Sequence, residues 1–344
     1  MERRNYLKLL GIGAGLSSFN LMSLASKENN PKIKAKKLNK GDRVAIIAPG
    51  TAVSSPDDIK KVRDVADYFG LEAVFGKNVE SGSGYKTRSV KERVDDIHWA
   101  FSDNSINAVF CIRGGYGSAS LLDSIDFEII KNNPKIFCGY SDITALHLAI
   151  YKLTGLVTFH GPVMLSAFDD ITINSFEKVF FENELIEYKN PESNKLRNYN
   201  PIHIIKAGKA NGELVGGNLT LICSLMGTKY EIETKNKILF IEDVGEEPYK
   251  LHRMLTQLIV SKKIDSIKGL IIGKCNDCNS KSNNTWDMSE MEVYYDLLRT
   301  YNIPIMYGHL IGHTNSQFIL PLGIEITINT DDKSLIFSEK ALVI

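Results

Sequence analysis

Short apolar runs that end at a glycine-containing loop recur along this chain and alternate with amphipathic segments. Residues 42–50, 108–112 and 135–138 are such runs. A run of this kind is typical of a strand buried on both faces of a parallel sheet. Helical segments separate the runs, one beginning at the N-cap candidate Ser55 and another covering residues 90–102. Alternating strands and helices predict a mostly parallel α/β sheet that is covered on both faces.

The second half of the chain has the same organisation without repeating the sequence. Residues 238–241, 269–273 and 303–307 predict buried strands, and residues 248–260 predict an amphipathic helix. The alternating pattern of residues 324–337 predicts a closing hairpin. At 344 residues the chain fits two domains of common size. We therefore predict an N-terminal α/β domain followed by a C-terminal β/α domain.

A weakly patterned stretch predicts the boundary between these domains. Residues 181–206 carry Asn, Pro and Lys and show little periodicity, which is typical of a connection. We assign residues 41–180 to the N-terminal domain, residues 181–208 to the connection and residues 209–344 to the C-terminal domain. The polar and basic residues 26–40 are interpreted as a linker that precedes the first strand.

The first 25 residues have the three parts of an export signal. Paired arginines at positions 3 and 4 precede an apolar, glycine-rich stretch, and residues 23–25 offer small side chains where a signal peptidase cleaves. The arginine pair resembles a twin-arginine signal. The alternative, an amphipathic helix packed on the domain, is disfavoured by the glycines. We expect a periplasmic protein with no integral membrane segment in its mature part, or a cytoplasmic one if this segment is not a signal.

Charge and cysteine content narrow the functional classes. Lys plus Arg and Asp plus Glu both number 41, so no net field attracts nucleic acid or an anionic membrane. A neutral or zwitterionic small substrate suits this balance better.

The five cysteines are an odd number and predict no disulfide framework. Cys275 and Cys278 lack further Cys or His ligands nearby in sequence, so we interpret them as two thiols in a loop and expect no metal or other cofactor.

Ser141 is the first candidate for chemistry, because it lies where a predicted strand turns into a helix. Ligands of parallel α/β sheets bind at the carboxyl ends of strands. A sharp strand-to-helix turn exposes a serine hydroxyl beside free backbone amides, as a nucleophile requires. The alternative is that Ser141 only caps the helix.

Other polar residues follow predicted strands in the same way. Residues 113–117, Arg-Gly-Gly-Tyr-Gly, fit part of an oxyanion site or a tight turn without a ligand, and they do not fit the dinucleotide-binding pattern. Glu242 and Asp243 end a buried strand, where a carboxylate needs a hydrogen-bond partner. His313 lies in a later loop, and its alternative is a structural histidine. A Ser, a Glu and a His that each follow a strand make a serine hydrolase triad geometrically feasible.

A set of ordered motifs resembles the LD-carboxypeptidases of murein recycling and their microcin-immunity relatives. The motifs extend over nearly the whole chain after its N-terminal segment. They are Gly41-Asp42-Arg43-Val44 through Ala48-Pro49, Arg113-Gly114-Gly115-Tyr116-Gly117, Gly139-Tyr140-Ser141-Asp142-Ile143-Thr144, His160-Gly161-Pro162, Gly216-Gly217-Asn218-Leu219, Glu242-Asp243-Val244-Gly245-Glu246, Gly312-His313 and Leu320-Pro321-Leu322-Gly323.

The family resemblance implies a fold and a mechanism. It implies an N-terminal parallel α/β domain that carries the nucleophile Ser141 and a C-terminal β/α domain that carries Glu242 and His313. The site then forms at the cleft between the domains. The backbone amides of Gly115 and Asp142 are the implied oxyanion hole.

The same resemblance implies a substrate. Arg113, Gly114 and Tyr116 are the candidate substrate-binding residues, and neither a cofactor nor a metal is implied. The implied reaction is hydrolysis of the L,D peptide bond that releases terminal D-alanine from a murein tetrapeptide. A muropeptide is the expected partner, and a homodimer is left open. Two alternatives remain: a hydrolase of peptide-nucleotide antibiotics of the microcin type, and a non-catalytic muropeptide-binding protein with the same fold.

Overall fold

The computed structural model describes residues 31–80, 87–191, 200–281 and 288–344. The predicted signal segment and the first part of the predicted linker lie outside these residues, so export stays a prediction. No helix among the described residues is long and apolar enough to cross a membrane.

The strands are β1 (Arg43–Ile47), β2 (Glu72–Phe75), β3 (Ile106–Cys111), β4 (Ile136–Gly139), β5 (Thr158–His160), β6 (Glu187–Tyr188), β7 (His203–Lys206), β8 (Lys209–Asn218), β9 (Ile238–Val244), β10 (Gly269–Asn276), β11 (Ile305–His309), β12 (Leu320–Leu322), β13 (Glu325–Asn329) and β14 (Ser334–Phe337). The helices are α1 (Pro56–Tyr68), α2 (Val90–Ser102), α3 (Phe127–Asn132), α4 (Thr144–Thr154), α5 (Asp170–Glu177), α6 (Leu219–Ser224), α7 (Pro248–Val260) and α8 (Glu290–Leu298).

The first sheet has the mostly parallel arrangement that the strand and helix pattern predicts. Its strand order is β12-β5-β4-β3-β1-β2, and only β12 runs antiparallel to its neighbour. The central strand β4 is buried along its whole length, as expected when helices cover both faces. Ser55 and Ser89 cap α1 and α2 through their side-chain hydroxyls.

The second sheet is mixed and has the order β6-β14-β13-β8-β9-β10-β11-β7. Its four central strands, β8 to β11, are parallel, and antiparallel strands flank them on both sides. The amphipathic helix α7 buries Leu251, Leu255 and Leu258, which recur at helical spacing. The two-part α/β architecture is therefore confirmed.

Two segments predicted to be connections take part in the fold. Ala35 and Leu38, in the predicted linker, are buried in the core. The short strands β6 and β7 lie inside the predicted connection and form the two edges of the second sheet. Strands of two and four residues are too short to show a clear period of two, which explains why sequence patterns did not reveal them.

Contacts between the two sheets bring their functional ends together. The late strand β12 pairs with β5, so the C-terminal half contributes a strand to the first sheet. The backbone N–H of Asn218, at the end of β8, donates to Thr144 Oγ1 at the start of α4 at 2.9 Å. Gly217 allows this approach, because a Cβ there would lie 2.4 Å from Thr144 Cγ2. Residues at or just after the carboxyl ends of β4, β9 and β11 meet at this junction.

Candidate active site

Ser141 occupies a strained turn between β4 and α4. Its φ is +64°, in the left-handed region that residues with a side chain rarely adopt. It begins a short helical turn, Ser141–Ile143, that leads into α4, and Tyr140 holds the N-cap position. The Ser141 hydroxyl lies 3.1 Å from Nε2 of His313. The side chain is therefore directed at an imidazole, and the alternative role as a helix cap is not what the structure shows.

The glycines of the Arg-Gly-Gly-Tyr-Gly loop are required for two separate reasons. A Cβ at Gly114 would lie 2.9 Å from Ser141 Cβ and 3.2 Å from its Oγ, so any side chain there would crowd the hydroxyl. Gly115 has a φ of +101°, and a Cβ there would lie 2.1 Å from Thr51 Oγ1. Both glycines border the cleft beside Ser141. The oxyanion role of the Gly115 and Asp142 amides stays a prediction. For Asp142 it is supported by its place in the first turn of a helix, where backbone N–H groups lack intrahelical acceptors.

Glu242 lies near the end of β9 and holds His313 with one carboxylate oxygen. Its Oε2 accepts from Nδ1 of His313 at 2.7 Å and from the His313 backbone N–H at 3.3 Å. The side chain is fully buried. Gly312 permits this approach, because its φ is +81° and a Cβ there would lie 2.0 Å from Glu242 Oε2. The glycine of the Gly-His motif thus leaves room for the carboxylate.

Asp243 has a different set of partners from its neighbour. Its Oδ1 accepts from the Asn218 side-chain amide at 3.0 Å, and its Oδ2 accepts from the backbone N–H and hydroxyl of Thr220, both at 2.9 Å. These bonds fix the start of α6. The structure therefore separates the acidic pair: Glu242 contacts the histidine, and Asp243 stabilises the local fold.

His313 contacts both Ser141 and Glu242, so the three side chains form a hydrogen-bonded triad. Burial lowers the pKa of His313, but the hydrogen bond and charge of Glu242, with a smaller contribution from the charge of Asp243, outweigh burial and hold the pKa above its ordinary value. Because a carboxylate only accepts, Nδ1 carries the proton in the neutral ring and Nε2 is free to accept from the Ser141 hydroxyl. The side-chain amide of Asn276 donates to the His313 backbone carbonyl.

Ser141 and His313 border a cleft of about 330 Å³. Its lining residues are Asp58, Arg113, Gly114, Gly115, Tyr140, Ser141, Val163, Leu165, Ser166 and His313. Arg113 and Gly114 border the cleft, whereas the third candidate, Tyr116, is 67% exposed and is not among its lining residues. The substrate-binding role of these three residues stays a prediction. Sequence patterns did not point to Asp58, Val163, Leu165 or Ser166 as lining residues. Val163 directly follows the motif His160-Gly161-Pro162, and that motif was the available sequence signal for this part of the cleft.

Cys275 and Cys278 form a disulfide, which corrects the expectation of two free thiols. Both are buried at the end of β10 and just after it. Counting cysteines over the whole chain could not reveal this bond, because the other three, Cys111, Cys138 and Cys223, are free.

Comparison with known proteins places both halves of this site in one family. The LD-carboxypeptidase N-terminal domain matches residues 44–161, and the LD-carboxypeptidase C-terminal domain matches residues 211–328. The "Probable murein peptide carboxypeptidase" of Bacillus subtilis is 39% identical over 312 residues, covering 88% of this chain and 93% of the relative. The "Murein tetrapeptide carboxypeptidase" of Pseudomonas aeruginosa is 31% identical over 289 residues, covering 82% of this chain and 91% of the relative.

A solved structure supports the same assignment. Microcin C7 self immunity protein MccF, in its wild-type apo state, has a TM-score of 0.82 and 28% identity over 90% of this chain and 100% of its own. Ser141 lies within the first matched family range, and Glu242 and His313 lie within the second. The chain belongs to the LD-carboxypeptidase family of peptidases.

Proposed function

We propose that this chain is a serine carboxypeptidase that releases terminal D-alanine from murein tetrapeptides by hydrolysing an L,D peptide bond. The proposal rests on the hydrogen-bonded triad that Ser141, His313 and Glu242 form at the edge of the cleft. A nucleophile, a base and a group that orients the base are the three parts of a serine hydrolase site. The names of the murein-peptide relatives support the choice of substrate.

Acylation uses His313 first as a base and then as an acid. His313 Nε2 takes the proton from Ser141 Oγ while that oxygen attacks the scissile carbonyl carbon, and the carbonyl electrons move to its oxygen. When the tetrahedral intermediate collapses, the C–N bond breaks and the same proton goes to the departing nitrogen of D-alanine. The remaining tripeptide is then an ester on Ser141. Glu242 stabilises the imidazolium that exists between these two transfers.

Deacylation repeats the transfers with water as the nucleophile. His313 takes a proton from water, the hydroxide attacks the ester carbon, and Ser141 leaves with the proton that His313 returns. The developing oxyanion in both steps needs fixed donors, and the amides of Gly115 and Asp142 are our candidates. Asp142 is the second residue of the helical turn that Ser141 begins, where backbone N–H groups point out of the helix end.

The charges along the cleft suit a small zwitterionic peptide. Arg113 supplies a guanidinium that can pair with the terminal carboxylate of D-alanine, and Asp58 supplies a carboxylate for an ammonium group. Both residues line the same cleft as Ser141. A terminal carboxylate bound beside the nucleophile favours removal of one residue over cleavage inside a chain.

The activity test is incubation of the purified protein with a murein tetrapeptide, with D-alanine release followed by mass spectrometry. A parallel incubation with a peptide-nucleotide conjugate tests the second candidate, which the likeness to MccF supports. Cleavage of the conjugate alone would favour an immunity function, and binding of the tetrapeptide without cleavage would favour a non-catalytic role. EDTA is a control arm, because zinc-reversible inhibition would mean that a metal takes part; Cys275, Cys278 and Glu290 could bind zinc only after reduction of the disulfide.

The proposed base predicts the acid side of the pH dependence. Catalysis requires neutral His313, and the pKa of this group is raised by Glu242 against the effect of burial. We therefore expect kcat/KM to fall as pH drops through a midpoint above about 6.5, the ordinary histidine value. Glu242→Gln removes the negative charge and should move this midpoint to lower pH. A midpoint that stays unchanged in that variant would contradict the coupling between the two groups.

A further inference from the structure

One oxygen of the Glu242 carboxylate is unaccounted for in the proposed mechanism. Oε2 accepts both hydrogen bonds from His313, whereas Oε1 is buried and has no hydrogen-bond partner among the described residues. A buried carboxylate oxygen without a donor is unfavourable, because water no longer solvates it. The surroundings of Oε1 should therefore contain a group that can donate.

His160 is the side chain that faces this oxygen. Its Nε2 lies 4.0 Å from Glu242 Oε1, and neither of its ring nitrogens has a hydrogen-bond partner among the described residues. His160 is fully buried at the end of β5, in the first sheet, whereas Glu242 belongs to β9 of the second. Two unpartnered polar groups of complementary chemistry thus face each other across the junction between the sheets.

The environment of His160 favours a neutral ring with one N–H. Burial, and to a smaller extent the charges of His147 and His313, lower the pKa of His160 well below its ordinary value. The aromatic ring of Phe240 packs against it with ring centroids 4.9 Å apart, and the ring of Tyr140 lies at 6.2 Å. His147 uses its Nε2 on the Gly139 backbone carbonyl at 2.8 Å. Glu242 is accordingly the acceptor that faces His160 Nε2.

We propose that His160 is a positioning residue that donates its Nε2–H to Glu242 Oε1. The carboxylate is then held through both oxygens, one toward each histidine, and cannot rotate away from His313. Closing the present 4.0 Å separation to hydrogen-bond length needs a side-chain shift of about 1 Å, or one bridging water. This inference rests on the proposed function, because it assigns His160 a role through the triad and no contact with substrate.

Three single variants test the inference. His160→Leu removes the donor and should lower kcat about 10- to 100-fold with KM within about twofold, because a misplaced carboxylate affects the reacting geometry and not substrate binding. His160→Gln places an amide N–H near the position of Nε2 and should recover most of the lost rate. His309→Leu is the matched control: His309 is equally buried, both its ring nitrogens are unpartnered among the described residues, and burial alone accounts for its lowered pKa. Its kcat should stay within about twofold of wild type.

A double-mutant cycle separates positioning from general destabilisation. If His160 acts through Glu242, adding His160→Leu to Glu242→Gln should lower kcat by less than about twofold further, because the group it positions is already altered. Independent losses that multiply would overturn the inference. Equal losses of kcat in His160→Leu and His309→Leu would also overturn it, since both would then reflect disturbed packing.

A readout independent of the natural substrate distinguishes failure of this inference from failure of the proposed function. The readout is the rate at which a small phosphonyl fluoride phosphonylates Ser141: Ser141 Oγ bonds to phosphorus, fluoride leaves, and His313 takes the serine proton. Intact-protein mass spectrometry follows this reaction, which requires the triad but no tetrapeptide. Rapid labelling that His160→Leu slows and His160→Gln restores would support the inference even if no tetrapeptide is cut. Normal labelling of His160→Leu, with Glu242→Gln strongly impaired, would overturn the positioning role and leave the proposed function intact. No labelling of wild-type Ser141 would overturn both.

Discussion

Ser141→Ala is expected to lower turnover by a factor of about 10³ or more while the fold is retained. The change removes the only hydroxyl that lies within hydrogen-bond reach of His313 Nε2 among the described residues, so no acyl-enzyme can form. Alanine has the same Cβ as serine and meets the same backbone cost at a φ of +64°. Stability should therefore change little, and residual binding of the tetrapeptide should survive.

The matched control for this prediction is Ser89→Ala. Ser89 caps α2 through a reciprocal capping box with Glu92, so its loss should lower the free energy of unfolding by about 1 kcal/mol. Its turnover should remain near wild type. D-alanine release and thermal unfolding, measured on both variants, separate loss of chemistry from loss of stability. Normal D-alanine release by Ser141→Ala would refute the serine mechanism.

Glu242→Gln is expected to have the second largest effect, a loss of about 10²- to 10⁴-fold in kcat with a much smaller change in substrate binding. The glutamine keeps the side-chain size but can present an N–H where His313 Nδ1–H needs an acceptor. The productive tautomer is then populated less often, and the imidazolium loses its counter-charge. Because Glu242 does not line the cleft, we expect KM to change little.

Asp243→Asn is the matched comparison, and it should act on stability. Both Asp243 oxygens accept hydrogen bonds, and an asparagine amide would face donors from Thr220 or Asn218. A buried donor left without an acceptor costs about 1 to 3 kcal/mol, so the unfolding midpoint should fall while the folded enzyme keeps most of its kcat. If Asp243→Asn is the variant with the severely reduced kcat and Glu242→Gln is near normal, the assignment within the acidic pair is wrong.

Much of the fold could be predicted from local sequence patterns. The helix α2 begins and ends where residues 90–102 predict it, because Ser89 and Glu92 mark its start and its apolar residues recur at helical spacing. The buried strands were recognisable as apolar runs. The edge strands β6 and β7 and the contacts of residues 31–40 were not, because they depend on neighbours distant in the chain.

The residues of the candidate site could be named from the sequence, but their positions relative to one another could not. Ser141 could be singled out by its place between a strand and a helix, but its left-handed backbone and its contact with His313 are tertiary facts. The choice of Glu242 over Asp243 rested on family resemblance, and the hydrogen bonds now give it a physical basis. Arg113 was expected to face substrate, whereas Asp58 comes from a helix start that carried no catalytic signal.

The proposed L,D-carboxypeptidase activity is tested most directly by giving the wild-type protein two diastereomeric tetrapeptides, one ending in D-alanine and one ending in L-alanine. We expect the first to yield alanine and tripeptide in equal amounts and the second to be cleaved at least about 10²-fold more slowly, because the proposed pairing of Arg113 with the terminal carboxylate would fix the orientation of the terminal residue. Release of D-alanine that stops in Ser141→Ala would complete the support. Failure to release D-alanine from the L,D peptide, or release that persists in Ser141→Ala, would refute a serine L,D-carboxypeptidase activity of this chain.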